Sequence, residues 1–167
     1  MRPKRFTTAA LVGALLVVSA TTLAVAEPQI IGERDGNDIV TVRGVDQTGS
    51  KQELPIFPGV SDKTAGATGL SLLKVVIPPG ATAKAHVHKG YESAVYLIQG
   101  RVETRFGDSL KKSVVNEAGD FIFIPADVPH QPRNLSETEP AIAIVARNAP
   151  DEQEHVIPYP PDGASEE

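Results

Sequence analysis

The chain has no cysteine, no tryptophan and a single methionine among its 167 residues. Without cysteine there is no disulfide framework, so the packed core and any bound metal must hold the fold together. The absence of thiols also excludes a cysteine nucleophile, an iron–sulfur cluster and a zinc site with cysteine ligands. Any metal in this protein must therefore be bound by histidine and oxygen ligands.

Basic residues are the minority, with 16 Lys and Arg against 21 Asp and Glu and a net charge of −5. An acidic chain without a basic patch is not expected to bind nucleic acid or an anionic membrane surface. A sustained 3.6-residue apolar period is also missing after the first 26 residues, so no long amphipathic helix is predicted.

Residues 1–26 have the pattern of a secretory signal peptide. Arg2 and Arg5 lie in a basic start, an uncharged stretch rich in Ala, Leu and Val follows, and Ala24-Val25-Ala26 forms a small-x-small cleavage site. The pattern predicts cleavage after Ala26 and a secreted or periplasmic protein with no stable membrane insertion after cleavage. The alternative is an uncleaved N-terminal membrane anchor, because the apolar stretch is long enough to span a bilayer.

The mature chain, residues 27–167, would carry 13 basic and 21 acidic residues, a net charge of −8. Its length suits one domain. Short apolar runs separated by Gly and Pro turns predict many short strands, and hence an all-β sandwich or closed barrel. We expect an N-terminal lead-in with the first strand or strands at 27–53, the barrel at 54–157 and a disordered tail at 158–167.

Two histidines, His86 and His88, stand two residues apart in the most informative segment of the chain. In a strand they point to the same face, and Glu92 follows four residues later. His130 lies in a second segment, so three of the four histidines fall in these two places. Imidazole is the commonest ligand of first-row metals, and a carboxylate beside it favours iron, manganese or zinc. The sequence therefore predicts a divalent metal site.

The two segments resemble the motifs of the cupin family. The first motif, G-x5-H-x-H-x3/4-E-x6-G, is matched by Gly80, His86, His88 and the closing Gly100. The second motif, G-x5-P-x-G-x2-H-x3-N, is matched by Gly119, Pro125, His130 and Asn134. Two motifs with correct internal spacing and order make a specific signal. The resemblance covers about residues 54–146 and implies a double-stranded β-helix, a jelly-roll barrel with a metal inside its mouth.

The sequence departs from the motifs at two positions. Asp127 stands where the second motif has its middle glycine, and Asp tolerates positive φ better than most residues. Glu92 is followed by seven residues before Gly100, where the family has six, so the expected spacing falls on Ser93. A one-residue slip turns a strand side chain to the opposite face. Either a bulge at Gly90 returns Glu92 to the site, or Ser93 faces it and the metal has three histidines.

We accordingly predict His86, His88, His130 and Glu92 as ligands, with Ser93 as the alternative to Glu92. The fourth histidine, His155, matches neither motif and is expected on the surface. Tyr91 and Tyr96 are expected to pack or to line the rim.

Two strand segments carry further expectations about burial. Arg101, Glu103 and Arg105 alternate on one strand and are expected on an outward polar face, although Glu103 and Tyr96 are the candidates for a general base. The apolar run 121–124 predicts a strand buried on both faces.

The family resemblance implies several activities. The first hypothesis is a metal-dependent, dioxygenase-like oxidoreductase acting on a small polar molecule, with iron or manganese favoured over zinc or nickel. Family dioxygenases use three histidines with or without the glutamate. The alternatives are a metal-dependent isomerase or lyase, and a non-enzymatic cupin that binds a small ligand or metal. No catalytic residue is predicted, and the sequence leaves open whether the protein is a homodimer.

Overall fold

The computed structural model describes residues 28–151 and 153–159. The predicted signal peptide and residues 160–167 of the predicted tail lie outside this part of the chain. Within it, no helix is long and apolar enough to cross a lipid bilayer.

The described residues fold almost entirely into antiparallel strands, which confirms the predicted all-β class. The strands are β1 (Gln29–Ile31), β2 (Thr41–Arg43), β3 (Ile56–Val60), β4 (Ser71–Ile77), β5 (His86–His88), β6 (Ser93–Gln99), β7 (Arg101–Phe106), β8 (Lys112–Glu117), β9 (Phe121–Ile124), β10 (His130–Asn134), β11 (Ala141–Arg147) and β12 (Val156–Pro158). The helices are one turn each, α1 (Asp62–Ala65) and a 3₁₀ helix at Asp108–Leu110. Helix α1 begins at a capping box formed by Ser61 and Thr64.

Two five-stranded sheets form the predicted jelly-roll barrel. One sheet has the order β12-β5-β10-β7-β8 and the other β3-β4-β11-β6-β9, while β1 and β2 form a separate ribbon. Buried Leu54, Ile77, Leu97 and Val102 form the centre of the core, and a smaller cluster surrounds Leu73. Inward-facing side chains alternate with outward-facing ones along each strand, as a sheet with one buried face requires.

Motif residues other than the histidines shape the turns of the barrel. Gly100 has φ +95°, and a Cβ there would come within 2.8 Å of Ala141. Asp127 has φ +61°, which confirms that Asp accepts the turn conformation of the glycine it replaces. Its backbone N–H donates to the His88 carbonyl at 3.0 Å. This turn is therefore tied directly to the strand that carries two of the histidines.

The buried Asn134 at the end of the second motif is a structural residue. Its Nδ2 donates to the carbonyls of Ile77, Pro78 and Glu139, while its Oδ1 accepts from the Ser136 N–H. These bonds satisfy backbone groups that would otherwise be buried without partners. Asn134 thus fixes the end of β10 against the segment that leads towards β5.

The predicted start of the disordered tail is wrong. Pro158 belongs to β12, which pairs with β5 at Val156–His88, Ile157–Val87 and Pro158–His86. Beyond it, the Tyr159 N–H donates to the Ala85 carbonyl at 2.9 Å. The prediction failed because a three-residue strand beside two prolines has no detectable apolar period. This strand covers the edge of β5.

Strand β9 corrects a second expectation, since it is buried on one face only. Ile122 and Ile124 face the barrel interior, whereas Phe121 is 86% exposed and Phe123 62% exposed. An all-apolar run cannot show by itself whether both faces are covered. In this fold β9 is an edge strand, and in the described part of the chain no layer covers its outer side.

Candidate metal centre

Strand pairing brings the three motif histidines together. His86 and His88 share the inner face of β5, and His130 at the start of β10 stands directly opposite His86 in the antiparallel register. The ring centroids lie 4.2 Å apart for His86 and His130, 4.7 Å for His88 and His130, and 5.2 Å for His86 and His88. One potential ligand atom from each residue lies within 4.8 Å of the other two. The three histidines can therefore hold one metal ion.

Each of the three rings is oriented through its Nδ1 atom. Nδ1 of His86 lies 2.8 Å from the Lys84 carbonyl oxygen, and Nδ1 of His130 lies 2.9 Å from the Val128 carbonyl oxygen. A carbonyl oxygen only accepts, so each neutral ring carries its proton on Nδ1 and leaves a lone pair on Nε2. This arrangement, with the outer nitrogen bound to protein and the inner one free, is typical of metal-binding histidines.

Burial keeps the rings neutral, as ligation requires. The loss of solvation lowers the pKa of His86 to about 3, and the proximity of His130 adds to this shift. Burial likewise lowers the pKa of His88 and of His130, and the Arg147 guanidinium contributes in both cases. All three imidazoles are thus uncharged at neutral pH.

The buried Nε2 atom of His88 tests whether a metal fits the site. It has no hydrogen-bond partner, although His88 is only 2% exposed and its Nδ1 lies within hydrogen-bond distance of Ser93 Oγ. A buried ring nitrogen without a partner is costly. A divalent ion shared with His86 and His130 would satisfy it, so the donor set fits such an ion.

Ser93, and not Glu92, reaches the histidine cluster. Ser93 is buried, and its Oγ lies 2.7 Å from Nδ1 of His88. Glu92 is exposed and lies outside the cluster, while its backbone N–H donates to Asn148 Oδ1. The preference for Glu92 as a ligand is therefore corrected.

The physical reason for this correction is the local backbone. Lys89 and Gly90 form a turn, and the chain leaves it with Tyr91 buried and Glu92 exposed. Strand β6 then begins at Ser93, whose inward direction continues through Val95 and Leu97.

The histidines line a cavity inside the barrel. The volume in which the centre of a water molecule can lie is about 100 Å³. This is several times the roughly 10–15 Å³ that one water needs. Most of the wall is aliphatic, contributed by both sheets. Its polar lining residues, besides the histidines, are Ser50, Gln52, Thr104 and Arg147. No carboxylate is among the described residues that line the cavity.

Arg147 places a positive charge next to the histidines. It ends β11 directly opposite Ser93, and its side chain is buried. Its guanidinium carbon lies 5.8 Å from the ring centre of Tyr91, and the Tyr91 ring stacks on His88 at 5.2 Å. Tyr91 is thus a packing residue, as predicted. A divalent ion held by the three histidines would add further positive charge near Arg147.

Three of these polar lining residues, Gln52, Thr104 and Arg147, were not predicted as site residues. Gln52 lies in the predicted lead-in, yet it is buried and its Oε1 has no hydrogen-bond partner. The signal for Thr104 was present, because it alternates with the outward Glu103 and Arg105 on β7. Arg147 could have been suspected from its place at the end of an otherwise apolar strand.

The remaining candidates lie away from the cavity. Arg101, Glu103 and Arg105 face outward as predicted, so Glu103 is not positioned as a general base. Tyr96 is also outward and contacts Phe121, with ring centres 4.7 Å apart. His155 is half exposed and lies near Asp151 and Glu154, two acidic residues with which it forms a second possible ligand group. It does not join the three motif histidines.

Comparison with known proteins agrees with this architecture. The family model "Cupin domain" matches residues 73–147, which contain both motifs. Germin-like protein 3-1 of Oryza sativa subsp. japonica is 24% identical over 104 residues, or 61% of this chain and 46% of that protein. The chain therefore spans less than half the length of this relative. Residues 73–147 are therefore similar to the cupin domain, and the jelly-roll fold of the described residues agrees with this similarity.

Solved structures show the same fold. An oxalate decarboxylase from Lactobacillus farciminis, in complex with formate, has a TM-score of 0.59 and 23% identity, covering 68% of this chain and 33% of that one. An uncharacterized conserved protein with a double-stranded β-helix domain from Klebsiella pneumoniae has a TM-score of 0.52 and 18% identity, covering 62% and 84%. At these identities the likeness concerns the fold.

Proposed function

We propose that this protein is an exported, metal-dependent oxidoreductase that acts with dioxygen on a small carboxylate with an apolar body. The observation that carries the proposal is the site itself, where three neutral histidines and Arg147 meet in an otherwise apolar cavity. The reaction would be dioxygenase-like, with both oxygen atoms of O2 entering the products, so that no external reductant is needed.

The lining supports redox chemistry over proton-transfer chemistry. An isomerase or lyase needs a general acid or base within reach of its substrate. Apart from the three histidines, the described cavity lining contains no group that titrates near neutral pH. An iron or manganese ion held by His86, His88 and His130 would supply redox and Lewis-acid chemistry that these side chains lack.

The chain's own residues would bind and orient the substrate. Arg147 would pair with its carboxylate, since guanidinium and carboxylate groups form strong charge-assisted hydrogen bonds. Gln52 offers a further polar group within the same wall. The aliphatic walls would cover the rest of the molecule and exclude water. This lining adds an apolar body to the small polar molecule that the sequence predicts.

Oxalate, the substrate named for the structural neighbours, is a useful contrast. It has two carboxylates and no apolar body, so it would leave the aliphatic wall of this cavity uncovered. Each buried CH₂ of a better-matched ligand would add about 0.8 kcal/mol to binding. We therefore expect monocarboxylates with a short aliphatic or phenyl group to bind more tightly than oxalate.

Oxygen uptake by the iron-loaded and manganese-loaded protein tests the function. With 2-hydroxy and 2-oxo acids that bear such a body, we expect uptake that is absent without substrate. Arg147→Met should keep the metal but weaken carboxylate binding about 10- to 100-fold, because a hydrogen bond to a charged group contributes roughly 1.5–3 kcal/mol. Arg133→Met, which removes an exposed arginine from β10, is the matched control and should behave like the parent.

A second candidate function is ligand binding without turnover. The cavity is already formed and enclosed by both sheets, which is also what a binding protein needs. Saturable carboxylate binding that depends on Arg147, with no oxygen uptake on any metal, would favour this function. Equal binding by the parent and by Arg147→Met would contradict both candidates.

Export is supported by the order of the basic, apolar and small-x-small segments in residues 1–26. We expect the native protein to begin at Glu27 and to be recovered from the secreted or periplasmic fraction. The mass of the intact native protein checks this. A membrane-bound form that retains Met1 would instead identify residues 1–26 as an anchor.

A further inference from the structure

The outer face of the sheet β3-β4-β11-β6-β9 carries mostly apolar side chains, although a solvent-exposed face usually carries polar and charged ones. On β4, β11, β6 and β9, nine side chains point away from the cavity and form what we name the apolar face: Leu72, Lys74, Ile144, Ala146, Ala94, Tyr96, Ile98, Phe121 and Phe123. Lys74 is the one charged member, and its Nζ lies 3.9 Å from the centre of the Phe57 ring. By contrast, the other sheet directs Arg101, Glu103, Arg105 and Arg133 outward. The two outer faces therefore differ sharply in polarity.

We propose that the apolar face is the interface of a homodimer in which two copies of this chain pack sheet against sheet. The exposed part of the face is large enough for this. From the exposures of Phe121 (86%), Phe123 (62%), Ile98 (48%), Tyr96 (40%) and Leu72 (38%), it amounts to about 500 Å². A homodimer that buries about 800 Å² per partner, with about 65% of it apolar, needs a similar apolar area.

The shape of the face favours a second copy as the occupant. Register places Leu72, Ala146, Ala94 and Phe123 in one row across four strands. The two alanines form the floor of a trough, and Phe123 projects beside it. A symmetric dimer requires one patch that is complementary to itself. Because this patch carries both a projection and a matching recess, Phe123 of each copy can enter the trough of the other.

The charge distribution points the same way. The mature chain has a net charge of −8, so two copies would repel each other through most surfaces. The apolar face has no acidic residue and can approach its counterpart without that cost. Its one basic residue, Lys74, lies over the Phe57 ring, and a single lysine is not the basic cluster that would attract an anionic lipid surface.

The interface would also support the cavity. On β9, Phe121 and Phe123 lie on the apolar face, while the alternating Ile122 and Ile124 line the cavity beside the histidines. Packing of a second copy on this edge strand would hold that wall in place. The dimer rests on the outer face alone, so it does not depend on the proposed oxidoreductase function.

Sedimentation velocity on the mature protein at 1–100 µM tests the proposal. We expect a dimer for the parent and a monomer for Phe121→Glu/Phe123→Glu, with the dissociation constant raised at least about 100-fold because burying two carboxylates is costly. Ala94→Arg fills the trough while keeping both phenylalanines, and should also give a monomer. The control is Val115→Glu, which replaces a 41% exposed apolar residue on the outer face of the other sheet and should remain dimeric.

Near-UV circular dichroism and metal content show whether each variant is folded. A parent that stays monomeric at 100 µM would overturn the proposal, as would a folded Phe121→Glu/Phe123→Glu variant that remains dimeric. Dissociation by Val115→Glu alone would place the interface on the other sheet and would equally contradict it.

Discussion

Replacing both His86 and His88 by alanine is expected to reduce bound metal from about one ion per chain to nearly none. The substitution removes two of three neutral nitrogen ligands, and the single His130 that remains cannot hold an ion against a chelating buffer. Elemental analysis after dialysis gives the metal content directly. The effect should be the largest of any substitution in this protein, because nothing else in the described cavity lining offers a comparable ligand.

His155→Ala is the matched control for this experiment. It removes the fourth histidine, which lies near Asp151 and Glu154 outside the cavity, and it should leave the metal content unchanged. If the His86→Ala/His88→Ala variant keeps its metal while His155→Ala loses it, the ion is bound at the second group of residues.

Ser93→Ala should weaken metal binding about tenfold, whereas Glu92→Gln should have almost no effect. The Ser93 hydroxyl holds Nδ1 of His88 at 2.7 Å, and loss of such an outer partner typically costs 10- to 100-fold in metal affinity. Glu92 is exposed and orients no ligand. Competition titrations with a chromogenic chelator measure both affinities. A clear loss in Glu92→Gln together with a silent Ser93→Ala would restore Glu92 as a ligand.

The sequence was sufficient to predict the histidine cluster, because both motifs encode simple geometry. A two-residue spacing on a strand fixes the common face of His86 and His88. The second motif places His130 at the start of its own strand, opposite His86. The positive φ of Asp127 was also predictable from its side chain. These features depend on local chain geometry, and the fold preserves them.

The incorrect expectations depended on contacts between distant parts of the chain. The start of β6 decides whether Glu92 or Ser93 faces inward. Strand β6 begins at Ser93 because Ser93 pairs with Arg147 on β11. The exposure of Phe121 and Phe123 depends on β9 lying at a sheet edge. Pro158 lies in a strand because β12 pairs with the edge of β5. None of these conditions can be inferred from a window of neighbouring residues.

The contribution of the lead-in to the cavity could not be predicted for the same reason. The Gln52 carbonyl accepts from the Lys84 N–H at 2.9 Å, so the segment is held against the approach to β5. Arg147 meets the histidines because β11 lies between β4 and β6 in the sheet order. The sheet topology therefore brings together the residues proposed to select the substrate, whereas the proposed metal ligands can be identified from the sequence motifs.

Anomalous diffraction at the metal absorption edge, from crystals of the metal-loaded mature protein, tests the central claim most directly. We predict a single strong peak about 2.0–2.3 Å from the Nε2 atoms of His86, His88 and His130, with no carboxylate of the chain among its ligands. A peak coordinated by Glu92, or one at Asp151, Glu154 and His155 with the three motif histidines unliganded, would contradict the account.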